Sequence, residues 1–151
     1  MDESKDLEVV KEIVFSEDEL EAVASALYED LKDCPRIFFS GPLGAGKTTL
    51  IRILLRKYGV KDPVTSPTFA YVNRYVSAKG ESLYHFDLYR LESSVDFFNA
   101  GFAEYLDDPH GRSFVEWPEI ISGSISSRYC LLELDYHGVS RKLVLKKYKK
   151  V

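Results

Sequence analysis

The stretch Gly41 to Thr49 constrains this chain more than any other feature. It reads GPLGAGKTT. Gly41 and Gly46 stand five apart and are followed directly by Lys47 and Thr48, the spacing of a loop that wraps phosphate. Phosphate oxygens need many donors at close range. The successive N–H groups of a tight loop supply them, and glycine allows the backbone to approach and take unusual dihedrals. Arg36 to Ser40, just before the loop, is a short apolar run of strand type. Behind it Leu50, Ile51, Leu54 and Leu55 mark one face of a helix from Lys47 to Tyr58, stopped by Gly59. Strand, glycine loop and helix in that order place the positive helix N-terminus on the same phosphate. Gly41, Leu43, Gly44, Ala45, Gly46, Lys47, Thr48 and Thr49 are therefore the expected phosphate-binding residues. Lys47 brings a charge to the β and γ phosphates, and the Thr48 hydroxyl offers an oxygen to magnesium.

The rest of the chain reads as one domain around that unit. At 151 residues, 45% of them apolar and 29% charged, it has the length and composition of a single globular domain. Leu7 to Phe15 reads as an edge strand. Ser16 with Glu19 forms a capping box ahead of an amphipathic helix over Ser16 to Lys32, with Leu20, Val23, Ala24, Leu27 and Leu31 on its apolar face. Phe69 to Val76 and Leu83 to Leu88 read as a hairpin about Ala78–Glu81. Ser94 to Leu106 is helical but broken at Gly101, Ser113 to Trp117 is a short strand, and Ser122 to Ser127 is a loop. Tyr129 to Asp135 and Lys142 to Lys147 form a second hairpin around His137–Gly138. The expected fold is α/β, a three-layer sandwich of the P-loop NTPase type, its mixed sheet carrying antiparallel additions.

Two acids end short apolar strands: Asp87 after Leu83–Phe86, and Glu116 after Ser113–Val115. Ligands of such sheets sit beyond the carboxyl ends of the strands. One acid to hold magnesium and one to orient an attacking water are what triphosphate hydrolysis needs, and the strand pattern leaves open which does which. Ser66–Pro67–Thr68–Phe69 reads either as a γ-phosphate-sensing segment or as an ordinary proline turn. His85 shares a strand face with Asp87 and reads as a structural histidine before a metal ligand or proton relay. His110 and His137 fall in turns.

A net charge of −4 gives no strongly basic footprint for free-standing nucleic-acid binding. The Lys-rich tail from Arg141 to Lys150 reads first as a guarded strand edge and second as a phosphate or RNA contact. Cys34 and Cys130 fit no metal spacing and are expected as buried thiols in a reducing cytosol. Neither a signal-type leader nor a membrane-length apolar run is visible in the sequence, so a cytoplasmic protein is expected.

GPLGAGKTT, then Ser66–Pro67–Thr68–Phe69, then His85–Phe86–Asp87–Leu88–Tyr89–Arg90, then Glu116–Trp117–Pro118–Glu119 appear in that order. With this ordered set the chain resembles the TsaE (formerly YjeE) family of bacterial ATPases, which serve the threonylcarbamoyladenosine modification of tRNA. The resemblance runs from about Ile13 to Lys147. It implies an ATP- and magnesium-dependent ATPase of low intrinsic activity, monomeric alone, working with TsaB and TsaD subunits and meeting tRNA through that complex. It implies Thr48 and Glu116 as magnesium ligands, Asp87 as essential for hydrolysis together with Lys47, and Thr68 in a switch segment. It also implies Trp117 and Glu119 near the nucleotide, and it points to the residues opening the first helix, Ser16 to Glu19, for the base.

Two other functions share the loop. A small-molecule kinase usually carries lid arginines, and only Arg90 and Arg112 are available between Leu88 and Ser127. A guanine-nucleotide switch is suggested by Ser77–Ala78–Lys79, but its companion Asn-Lys-x-Asp sequence is absent from the chain.

Overall fold

The computed structural model describes residues 6–67 and 71–149. Its seven strands form one mixed sheet in the order β1-β7-β6-β2-β5-β4-β3. These are β1 (Leu7–Phe15), β2 (Arg36–Ser40), β3 (Val72–Val76), β4 (Ser82–Asp87), β5 (Gly111–Glu116), β6 (Cys130–His137) and β7 (Ser140–Tyr148). The inner four, β6, β2, β5 and β4, are parallel to one another. Antiparallel β3 flanks them on one side, and the antiparallel pair β7 and β1 on the other. This is the α/β arrangement expected from the sequence.

Alternation along the inner strands divides the core in two, because successive side chains point to opposite faces. Phe39, Phe114 and Leu132 pack with Leu27, Leu50, Ile51 and Leu54 of two helices, α1 (Leu20–Asp30) and α2 (Lys47–Lys57). Phe38, Phe86 and Val115 face the other way. They pack with Phe97, Leu106 and Ile121 of α3 (Ser94–Asn99), α4 (Phe102–Leu106) and α5 (Glu119–Ser122). The helices before and after β2 thus cover one face and the short helices the other.

Local signals act where expected. The Glu19 carboxylate accepts the Ser16 N–H at 3.0 Å, one half of a capping box. The first turn, Glu17–Glu19, is nevertheless a 3-10 turn, and α1 begins only at Leu20. Gly59 at φ 88° ends α2, and Gly101 at φ 80° separates α3 from α4.

Four expectations need correction. β7 is an inner strand, paired with β1 on one side and β6 on the other, so its lysines guard no edge. They meet carboxylates instead: Lys142 with Glu12, Lys146 with Glu133 and Lys147 with Asp33. Cys34 and Cys130 are joined in a disulfide, not held as thiols. β6 runs beside β2 with Cys130 opposite Ile37, which brings the two Cα atoms to 6.0 Å across 96 residues of sequence. β5 ends at Glu116, and Trp117 leaves the strand at φ 57°. The strand expected from Phe69 begins at Val72; its first two expected residues, with Thr68, lie outside the described residues. Among the described residues no helix is long and apolar enough to cross a membrane.

Candidate functional site

The loop after β2 folds as its glycines require. Gly41, Gly44 and Gly46 all have positive φ, at 150°, 80° and 105°. At Gly41 there is also no room for a side chain, since a Cβ would stand 2.0 Å from the Leu134 carbonyl oxygen of β6. The loop is pinned from that side again by Tyr136, whose hydroxyl donates to the Leu43 carbonyl at 2.6 Å. Gly46 caps α2 with a left-handed backbone, so the loop runs straight into the helix N-terminus, a natural anion site.

Lys47 opens α2 and is buried. Its ammonium donates to the Gly41 carbonyl and stands 3.4 Å from the centre of the Trp117 ring, a cation–π contact. Burial pulls its pKa below the usual lysine value, against the opposing charges of Glu116, Glu119 and Asp87. The turn after β5 that gives Trp117 its positive φ thus delivers an aromatic face to the loop lysine. Trp117 is backed by Tyr89, ring centres 4.9 Å apart.

The two strand-end acids come together because β4 and β5 are parallel and in register, with Asp87 opposite Glu116. Glu116 is 2% exposed. Its Oε1 accepts the Thr48 hydroxyl at 2.7 Å, and its Oε2 lies 2.7 Å from His85 Nε2. Asp87 is more open, and its Oδ1 accepts the Tyr89 N–H at 3.1 Å. Burial raises its pKa above the usual aspartate value; the Tyr89 N–H, next in effect, lowers it, the neighbouring Glu116 charge raises it, and His85 and Lys47 oppose.

A cavity of about 240 Å³ is lined by Leu43, Gly44, Gly46, Lys47, Thr48, Thr49, Asp87, Glu116 and Trp117. Most residues expected from the sequence therefore meet around one space. Gly41 lies behind it, against β6. Glu119 starts α5 and takes the Ser40 hydroxyl at the end of β2, so it braces the loop's entry strand instead of lining the cavity. Thr68 falls outside the described residues. A second cavity, about 230 Å³, shares Gly44, Gly46 and Thr49 with the first, takes in Ala45, and continues to Phe15, Glu17, Leu20, Leu134, Val139 and Arg141. Beyond the loop residues, only its Glu17 side is anticipated by the sequence reading. Val139 and Arg141 come from the β6–β7 hairpin, which no local pattern aims at the loop.

Fold and loop together define an α/β protein of the P-loop NTPase type. A family model described as "Threonylcarbamoyl adenosine biosynthesis protein TsaE" matches residues 14–143, and the chain belongs to that family. It is 36% identical over 109 residues to the "tRNA threonylcarbamoyladenosine biosynthesis protein TsaE" of Haemophilus influenzae, covering 72% of this chain and 68% of that protein. It is 39% identical over 116 residues to the Aquifex aeolicus protein of the same name, covering 75% and 80%. Its fold is similar to a crystal structure of Bacillus subtilis YdiB, with a TM-score of 0.66 at 21% identity over 94% of this chain and 88% of that one.

Proposed function

We propose that this protein is a magnesium-dependent ATPase supporting threonylcarbamoyl modification of a tRNA adenosine together with TsaB- and TsaD-like subunits. The observation that carries the chemistry is the pairing of Thr48 with Glu116 at 2.7 Å, beside Asp87, at the mouth of the phosphate loop. The pathway is supported by the family and by the names its relatives carry.

A hydroxyl and a carboxylate oxygen are hard donors of the kind magnesium takes. That ion is commonly held by one or two protein oxygens plus phosphate and water. Thr48 and Glu116 are the residues that would hold it. When bound with the triphosphate it supplies neutralisation of the phosphate charge. The chain's own groups do the rest. The N–H groups of Gly44 to Thr49 bind the phosphates, and Lys47 leaves the Gly41 carbonyl for a phosphate oxygen. Asp87, with Oδ1 engaged by the Tyr89 N–H, keeps Oδ2 to orient a water. Thr68 is assigned to sensing the γ-phosphate, and Trp117 and Glu119 to holding the rim and base of the loop. The second cavity, continuous with the loop and opening toward Phe15 and Glu17, is where the base would lie.

The kinase alternative finds no support in the arginines. Arg112 is tied to the Leu31 and Cys34 carbonyls at 2.9 and 2.6 Å, at the opposite end of the sheet, and Arg90 is exposed.

The test is a reconstituted tRNA modification reaction with TsaB and TsaD subunits, run to several turnovers with wild type and with Lys47→Ala. Removal of one charged donor to phosphate costs about 1.5–3 kcal/mol, roughly a 10- to 100-fold loss of ATP affinity. Calorimetry should show that loss, and turnover should stop with it. Unchanged affinity in Lys47→Ala, or full turnover without this protein, would overturn the proposal.

A further inference from the structure

His85 is the most deeply buried ionisable side chain near the site, at 0% exposure, and the steps above do not use it. We infer that it is a positioning residue: its Nε2–H holds Glu116 Oε2 and so directs Oε1 at Thr48. The inference rests on the reading of Thr48 and Glu116 as the magnesium-holding pair.

The register places it. β4 and β5 pair Asp87 with Glu116 and His85 with Phe114. Residues two apart share a strand face, so His85 lies one row beneath Asp87 and diagonally beneath the Glu116 carboxylate. Each Glu116 oxygen then has one partner at 2.7 Å, Thr48 on Oε1 and His85 on Oε2. A glutamate fixed at both oxygens cannot rotate its carboxylate.

The other ring nitrogen sets the donor. Among the described residues, His85 Nδ1 is buried and has no hydrogen-bond partner. A neutral imidazole has a single N–H. Placed on Nδ1 it would be an orphaned buried donor, and Nε2 would face the carboxylate lone pair to lone pair. Placed on Nε2 it makes the bond to Glu116. The partner of a ligating carboxylate typically sets metal affinity by 10- to 100-fold. His85 is thus the support beneath the metal-holding acid.

The test compares His85→Gln with His85→Asn. Both are polar, but the Gln amide reaches the place of Nε2 and the Asn amide stops near that of Nδ1. Binding of a fluorescent ADP analogue is titrated with and without magnesium, and circular dichroism checks folding. We expect His85→Asn to lose about 10- to 100-fold in apparent magnesium affinity while binding the magnesium-free nucleotide like wild type. His85→Gln should retain most of the magnesium response. In steady-state hydrolysis the Asn change should appear in the magnesium requirement and not in the KM for nucleotide. Nitrogen-detected NMR of the wild type, without nucleotide, should show the proton on Nε2. Equal magnesium responses in both variants, or a proton on Nδ1, would overturn the role of His85 alone. A wild type whose nucleotide binding ignores magnesium would overturn the function reading and, with it, this one.

Discussion

Asp87→Asn should hydrolyse ATP about 10²–10⁴-fold more slowly than wild type, the usual contribution of a positioned acid–base group, while binding ATP almost as tightly. The asymmetry follows from where Asp87 stands. It lines the cavity beside Glu116, whereas the phosphate contacts proposed above come from the loop and Lys47. A water-orienting carboxylate acts on the transition state, so its loss falls on kcat. Asn preserves the Oδ1 that accepts the Tyr89 N–H and removes only the charge. The same charge makes a second, opposite prediction for stability. Burial holds the Asp87 pKa above its usual value, and hence above its value in the unfolded chain. A carboxyl raised in this way favours the folded state most at pH below its unfolded pKa. That advantage is lost as pH rises through the folded pKa. At neutral pH the ionised Asp87 is therefore a liability that Asn lacks. Thermal melts at pH 4 and pH 8 should show Asp87→Asn gaining on wild type as pH rises. Normal hydrolysis by the variant with its partner subunits present would remove Asp87 from the mechanism. A slow variant that also melts well below wild type at pH 8 would make the residue structural.

The separation of roles between binding and hydrolysis mirrors what could be read from the chain. The unit β2, loop and α2 is local: a short apolar run, glycines at fixed spacing and a helical apolar stripe are all adjacent in sequence. Its boundaries accordingly come out within a residue of expectation, β2 at Arg36–Ser40 and α2 at Lys47–Lys57. The acids were legible one at a time, because each ends an apolar strand. Their meeting was not, since it depends on β4 and β5 being parallel neighbours in register. His85 shows the same limit. Period two puts it on the face of Asp87, but only the register puts it under Glu116. Trp117 reads as strand from its composition. It is turned out by a positive φ, a strained backbone that no residue pattern announces for an aromatic side chain. The Lys-rich β7 was misplaced because position in a sheet is a property of topology: the same alternating pattern suits an edge strand or, as here, one covered by β1.

Breaking the Cys34–Cys130 bond should lower the unfolding free energy by about 4–5 kcal/mol and leave ATP affinity unchanged. The bond spans 96 residues, and in the chain-entropy treatment a loop of about 100 residues restricts the unfolded state by about 4.7 kcal/mol. Domains of ordinary stability have about 5–15 kcal/mol in total, so this one link would be a large share. For a chain of this length each kcal/mol moves the melting temperature by about 2–4 °C, which makes the expected fall roughly 8–20 °C. Site geometry gives the second half of the prediction. The bond joins the starts of β2 and β6, while the phosphate loop leaves the far end of β2 after Ser40. Five residues of strand at about 3.3 Å each separate them, roughly 17 Å. Cys34→Ala, Cys130→Ala and the double variant should therefore melt alike, since any of them opens the same loop. Each should match the wild type under reductant and bind ATP normally below its melting point. The denaturant slope should rise in all three, because the uncrosslinked chain exposes more surface on unfolding. A loss of only one or two degrees would mean that the reduced, unfolded chain already keeps β2 and β6 close. A loss of ATP affinity at low temperature would mean that the bond also fixes the loop, through the β2–β6 pairing that brings Leu134 against Gly41.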